Sequence, residues 1–343
     1  MTTPEPHIQT ITRCSWGRGW LWWVEAYRMI REEPLAWYLI GLCYIGILIG
    51  ISMVLGIISL ICAFLGVVGD IINLAGNVFY YAIAPCFTVG IIAAGWTQAR
   101  GGKPKVSHLF SGFKADVKTL MGVGVTFFAL MVFSFLIPFL VLLLGGDFLT
   151  EAENLAKAGD PMVLLRTLLT SAHLWLAIAV YLILSILAWV AYWLAPMVVV
   201  FQRTGVMAAL WRSFKGLLIN NWRALIVFLL PVLAVGAFIG IIVAIAIKVA
   251  LGMSGGEPSM LVIMLILLFV FLMLIAEFLV LPFLISLGTM TAFVAYCDIF
   301  HAKDGVFPRP VRAKAVGNET TNETANEAAN ETVNETTNET EPF

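Results

Sequence analysis

Charge is what this sequence has least of. Only 12% of its 343 residues are Asp, Glu, Lys or Arg, against about a quarter in a soluble globular domain, while 61% are apolar or aromatic. That balance excludes a water-soluble chain. Histidine and cysteine are scarce as well. His7, His108, His173 and His301 are scattered, with no carboxylate or cysteine at ligand spacing, and Cys14, Cys43, Cys62, Cys86 and Cys297 include no CxxC pair. No metal site is indicated, and the cysteines read as small buried hydrophobes. HExxH, GxSxG, Walker and dinucleotide-binding signatures are missing, so no enzyme class, catalytic residue or cofactor is indicated. No nucleic-acid partner is indicated either.

What the sequence does have is apolar length. Residues 35–68, 71–97, 120–144, 174–201, 224–247 and 260–297 carry almost no charge, and each stretch exceeds the roughly 20 residues that a membrane-spanning helix needs. The chain reads as an all-α polytopic membrane protein with six transmembrane helices. On length alone residues 35–97 could hold three spans, but three would put Arg31 and Arg100 on opposite sides. Two spans joined by a turn around residues 57–77 keep the charge pattern intact. The last stretch, at ~57 Å of helix, is too long for a ~30 Å core and is expected to bend at Pro282 or to emerge from the bilayer.

The formal net charge of −1 divides by position. Seven of the 21 acids lie in the last 27 residues, leaving 14 acids against all 20 bases in residues 1–316. Seventeen of those bases precede the first stretch, lie between the second and third or the fourth and fifth, or follow the sixth. Only Lys157, Arg166 and Lys248 fall elsewhere. The asymmetry predicts both termini and both basic loops in the cytoplasm. The first span is expected to act as an uncleaved signal anchor.

A unit recurs along the chain. Ahead of the first span, Trp16, Trp20, Trp23, Tyr27 and Ile30 repeat at helical spacing with Arg18, Glu25 and Glu32 on another face. Leu109, Phe110, Phe113, Val117 and Leu120 repeat the pattern ahead of the third, and Leu210, Trp211, Phe214, Leu217 and Leu218 ahead of the fifth. In register, an aromatic precedes a base: Tyr27 and Arg28, Phe113 and Lys114, Phe214 and Lys215. Each returning span carries a proline, Pro85, Pro196 and Pro282, expected to kink it. The layout predicts three copies of interfacial helix, span, span, all running the same way.

The chain divides into an interfacial amphipathic helix in residues 1–34, a six-span membrane domain in 35–304, and a disordered cytoplasmic tail in 305–343 with NETx repeats. Five repeats match the Asn-x-Thr sequon in form only, because the tail is placed in the cytoplasm. Residues 145–173 form the one long outer insertion, read as a surface helical hairpin.

Glu277 is the intramembrane charge that stands out. At ~26 Å along its helix from Met260 it is too deep to reach the outer headgroups, and it is a candidate either for lining a polar cavity or for a structural hydrogen bond. Lys248 sits where its stem can snorkel. Arg28, Lys114, Lys118, Arg212, Lys215 and Arg223 on the basic segments are expected to contact anionic headgroups of the phospholipid bilayer. Gly46-x-x-x-Gly50 and Gly236-x-x-x-Gly240 suit packing within the chain, with a homo-oligomer or other membrane proteins as the alternative partners.

Residues 17–304 carry short motifs that recur in a known group: Gly17-Arg-Gly-Trp20 with Trp23, Leu109-Phe-Ser-Gly-Phe113, Trp193-Leu-Ala-Pro196, Ser213-Phe214 with Asn221-Trp222, and Tyr296-Cys-Asp-Ile-Phe300. In these the chain resembles an uncharacterised family of bacterial inner-membrane proteins. That family is related in layout to the membrane domain fused to some glycerophosphodiester phosphodiesterases. The resemblance implies a six-span protein of the bacterial inner (cytoplasmic) membrane, and the phosphodiesterase catalytic domain has no counterpart here. The expected function is non-enzymatic, in envelope or lipid homeostasis or as a scaffold. The alternative is a small-molecule or ion transporter with Glu277 lining a polar cavity.

Overall fold

The computed structural model describes residues 10–144, 172–252 and 260–301. The NETx tail and most of the outer insertion lie outside the described residues. Among those described there is no strand. Helix α1 spans Arg18–Glu32, α2 Pro34–Cys62 and α3 Val67–Ala99, with a 3₁₀ segment at Val106–Lys114. Then follow α4 at Val117–Leu144, α5 at Ala172–Trp193, α6 at Ala195–Gln202 and α7 at Val206–Phe214. After a π-helical turn at Lys215–Ile219 come α8 at Trp222–Gly252 and α9 at Met260–His301.

Among the described residues five helices are long and apolar enough to cross a membrane, or six if Val206–Ile219 and Trp222–Phe238, bent by 85° from one another, count as one. Residues 35–97 hold two helices of that length and apolarity, Pro34–Cys62 and Val67–Ala99. They reverse at Gly66, whose φ of 56° suits a residue without Cβ. At the far end of α3 the amide of Gly101 (φ 81°) donates to the Gln98 carbonyl and that of Gly102 to Thr97, a Schellman stop.

Two expectations are corrected. The second amphipathic segment is not one helix through Leu120. It is a 3₁₀ segment that ends at Lys114, and Val117, Lys118 and Leu120 belong to the first turn of α4. The break comes at Asp116, whose carboxylate accepts from the Thr119 amide (3.3 Å) and hydroxyl (2.6 Å), so that it caps α4 and stops the preceding turn from continuing. Pro196 does not kink a helix either. It is the second residue of α6, after a break at Leu194. Pro85 and Pro282 lie inside α3 and α9, as do Pro138 in α4 and Pro231 in α8.

The core sits at one end of the bundle. By connectivity the starts of α2, α4 and α8 and the ends of α3, α6 and α9 meet where the basic residues are, and most of the buried apolar residues come from these stretches. Ring packing links the three returning helices there, with Trp96 6.1 Å from Phe201 and 6.5 Å from Phe293, and Phe201 5.4 Å from Tyr296. Farther from this end, Phe64, Leu140, Ile183 and Phe238 are exposed. Such broad apolar exposure fits a hydrocarbon surrounding.

Each short segment ahead of a span lies across the pair of helices before it. Val106–Lys114 packs on α2 and α3, α7 packs on α4 and α5, and α1 packs on α8 and α9. The last contact closes the order into a ring. Close approach is made by glycine: Gly19 rests against the Ala224 carbonyl, Gly112 against Cys86, Gly41 against Pro282 and Gly124 against Tyr81. The Tyr81 carbonyl is four residues before Pro85, so it has lost its helical partner, and the α4 backbone at Gly124 covers it. By contrast a Cβ at Gly46, Gly50, Gly236 or Gly240 would meet nothing within 4 Å. Among the described residues, then, no close contact is made at the GxxxG pairs.

These contacts predict opposite outcomes for one substitution. Gly112→Ala and Gly124→Ala should lower the thermal unfolding temperature in detergent, because backbone must move to admit the methyl group. Gly46→Ala should leave it unchanged or raise it, since helix propensity improves by up to about 1 kcal/mol with nothing displaced.

Candidate functional site

The charged end is held together by polar side chains that join elements far apart in sequence. Arg18, on the first turn of α1, donates from Nε to Asp298 Oδ2 at 2.6 Å, and its Nη2 pairs with the same oxygen. Nη1 reaches Glu25 Oε1 at 3.0 Å, and Trp22 Nε1 donates to Asp298 Oδ2 at 2.9 Å. Trp22 is fully buried, and the Asp298 side chain is 7% exposed. Burial alone would lower the Arg18 guanidinium, but the hydrogen bond and charge of Asp298, with Glu25, hold it above its ordinary value.

Asn221 is the second tie. Its Oδ1 accepts from the Cys14 amide at 2.6 Å, while Nδ2 donates to the carbonyls of Thr12 (3.0 Å) and Gly216 (2.8 Å). The Thr12 amide in turn donates to the Ile299 carbonyl at 2.7 Å. Residues 12–14 thus strap the bend before α8 to the end of α9. The Cys14 thiol beneath this strap is pushed up to about 12, first by burial and then by the charge of Asp298, with Arg18 opposing.

Ser213 explains the break at Leu194. Its hydroxyl donates to the Val190 carbonyl at 2.8 Å and accepts from the Leu194 amide at 3.1 Å. In an unbroken helix these two groups would bond to each other, so the hydroxyl of α7 is inserted into the backbone ladder of α5. A fourth tie centres on Trp37, whose Nε1 donates to Gln98 Oε1 at 2.8 Å and whose carbonyl accepts from Ser286 at 2.9 Å. Gln98 Nε2 donates to the Met29 carbonyl at 2.6 Å and to Glu32 at 3.0 Å. Gln202, fully buried, donates to the Tyr296 hydroxyl at 3.1 Å.

Arg28, Lys114, Lys118, Lys215 and Arg223 are exposed, all at this end. Arg223 lies over the rings of Trp16 (5.5 Å) and Trp222 (5.3 Å), Arg100 over Trp96 (4.1 Å), and the half-buried Arg212 over Phe300 (5.8 Å). Pro85 and Pro282 are buried in their helices and Pro196 is buried at the start of α6. Glu277 and Lys248 lie on α9 and α8, and their side chains fall outside the described residues.

Sequence reading passes over Trp22, Ser213, Asn221 and Asp298 as site residues. One signal does point to Asp298, an acid directly after the last apolar stretch in a chain with few acids, but its partner lies 280 residues away. Among the described residues no group of three His, Cys, Asp or Glu side chains could hold a metal ion. The geometry provides inter-helix ties on the inside of this end and exposed positive charge on its outside.

Removing Asp298 leaves Arg18 without its main partner, so Asp298→Ala should destabilise the protein by about 3–5 kcal/mol, seen as a lower unfolding temperature. Replacing both partners together, Arg18→Met with Asp298→Leu, should recover most of the loss. At pH 8 the Cys14 thiolate should be far scarcer than in a free cysteine, so maleimide labelling at Cys14 should be slow until the protein is unfolded. No family model, curated protein or solved structure matches the chain.

Proposed function

We propose that this is a six-span protein of the inner (cytoplasmic) membrane, with both termini inside, built from three units of surface segment, outgoing span and returning span. In this reading the 85° bend after Ile219 is where a surface segment turns into a span, equivalent to the turn between α1 and α2. The protein is non-enzymatic and acts in envelope or lipid homeostasis as a scaffold on the inner leaflet. The resemblance to the uncharacterised inner-membrane family belongs to the same proposal.

One observation carries the reading. At the charged end the buried Ser213, Asn221, Ser286 and Asp298 and the half-buried Arg18 and Gln98 bond one element to another. The exposed bases of the same end point away from the core. Anionic lipid attracts such bases by about 1 kcal/mol each at the membrane surface. A fixed scaffold with a cationic rim binds a lipid surface or a partner held at it.

Reporter fusions at Gly102 and Thr204 should report a cytoplasmic location and a fusion at Leu65 an outside one; any other pattern defeats the proposal. With sidedness intact, reversing Arg28, Lys118 and Lys215 to Glu should reduce the anionic phospholipid that copurifies with the protein. Unchanged lipid content would remove the role assigned to the rim.

A further inference from the structure

The charged end contains an apolar cleft of about 300 Å3 between the last turns of α3, the Val106–Lys114 segment and α6. Its walls are Val89, Ile92 and Ala93 on one side and Met197, Val200 and Phe201 on the other, closed by Trp96 and Ala115. From Val89 to Trp96 it descends about 10 Å along α3. Among the described residues Lys114 is the only charged side chain in the lining, and it is exposed. No carboxylate among the described residues pairs with it. The Ser111 hydroxyl already donates to the His108 carbonyl at 2.6 Å, so recognition of an anion falls to Lys114.

We propose that this cleft holds one anionic phospholipid of the inner leaflet, with acyl chain against Val89, Ile92, Met197 and Val200 and the phosphate at Lys114. The proposal rests on the reading that this end faces the cytoplasmic leaflet. The two features of the cleft select the same class of ligand. A free phosphate would leave the apolar walls uncovered, and a lipid without net charge would leave Lys114 uncompensated. The larger cleft between α4, α5 and α7, about 360 Å3, makes a useful contrast. Among the described residues it has no charged side chain in its lining, and its hydroxyls are spent within α4, Thr126 on the Gly122 carbonyl and Ser134 on Leu130. It offers a bed for any hydrocarbon chain and no means of selecting a headgroup.

The test uses the full chain in detergent, titrated with phosphatidylglycerol or phosphatidylcholine and followed by native mass spectrometry. The wild-type protein should bind one phosphatidylglycerol more tightly than any further copies and more tightly than phosphatidylcholine, and millimolar inorganic phosphate should not displace it. Lys114→Glu should weaken that first lipid about tenfold. Ala93→Phe, which fills the cleft from α3, should abolish it, and Val200→Phe, which fills it from α6, provides the same test where Ala93→Phe does not fold. Arg31→Glu, at an exposed base outside the cleft, should leave the first lipid unchanged. Equal binding of the two lipids, displacement by phosphate, or wild-type binding in the lysine and cleft-filling variants overturns the proposal. The reporter fusions judge the underlying reading separately, so correct sidedness with unaltered cleft variants defeats the lipid site alone.

Discussion

The ring of helices closes through Arg18 and Asp298. This pair ties α1 to the last helix across 280 residues, alongside the Thr12–Ile299 and Trp37–Ser286 hydrogen bonds to the same helix. A buried ion pair stabilises little in itself, since desolvating both partners offsets their attraction. Its value here is positional. Trp22 and Glu25 complete the coordination of the pair, so α1 is fixed both along and around its own axis. From that position α1 holds α8: Gly19 rests on the Ala224 carbonyl, and Trp23 Nε1 donates to the Phe228 carbonyl at 3.0 Å. Phe228 then stacks between Trp23 and Trp189, which carries the contact on to α5.

A second constraint explains where the chain is allowed to be irregular. Backbone that leaves a helix in an apolar medium must find new partners, so breaks are tolerated only where side chains supply them. The breaks follow this rule. Leu194 is served by Ser213, the bend after Ile219 by Asn220 and Asn221, and the end of α3 by Gly101 and Gly102. These three breaks lie at the charged end, whereas Pro85, Pro138, Pro231 and Pro282 lie inside continuous helices.

The fold class was legible because composition and the length of the apolar stretches report directly on the solvent the chain occupies. The recurrence of an aromatic followed by a base was legible for the same reason, since it marks the boundary between two solvents. What could not be read was which side chains meet. Gly46 and Gly50 have the spacing of a packing motif, yet the glycine of α2 that touches another helix is the isolated Gly41. Spacing shows that a close approach is feasible, and the ring decides which face is covered. Ser213 likewise reads as one more small residue on an amphipathic segment until Val190 and Leu194 are seen on either side of it. Asp298 has no local feature that names Arg18 as its partner.

Stability is unequal along the length of the bundle as a result. At the charged end, stacked rings, glycine contacts and four sets of inter-helix hydrogen bonds act together, and moving one returning helix there means parting several of them at once. At the other end the side chains of α2, α4, α5 and α8 face outward, and the helices have fewer neighbours to hold them. Motion in such a molecule belongs to the loosely held end, because local opening follows local contact. Whatever is recognised at the cationic rim is then met by a fixed arrangement of bases and by a cleft whose walls come from three mutually tied elements. On the proposed reading that rigidity suits a scaffold on a lipid surface, where the burden of adapting would fall on what it binds.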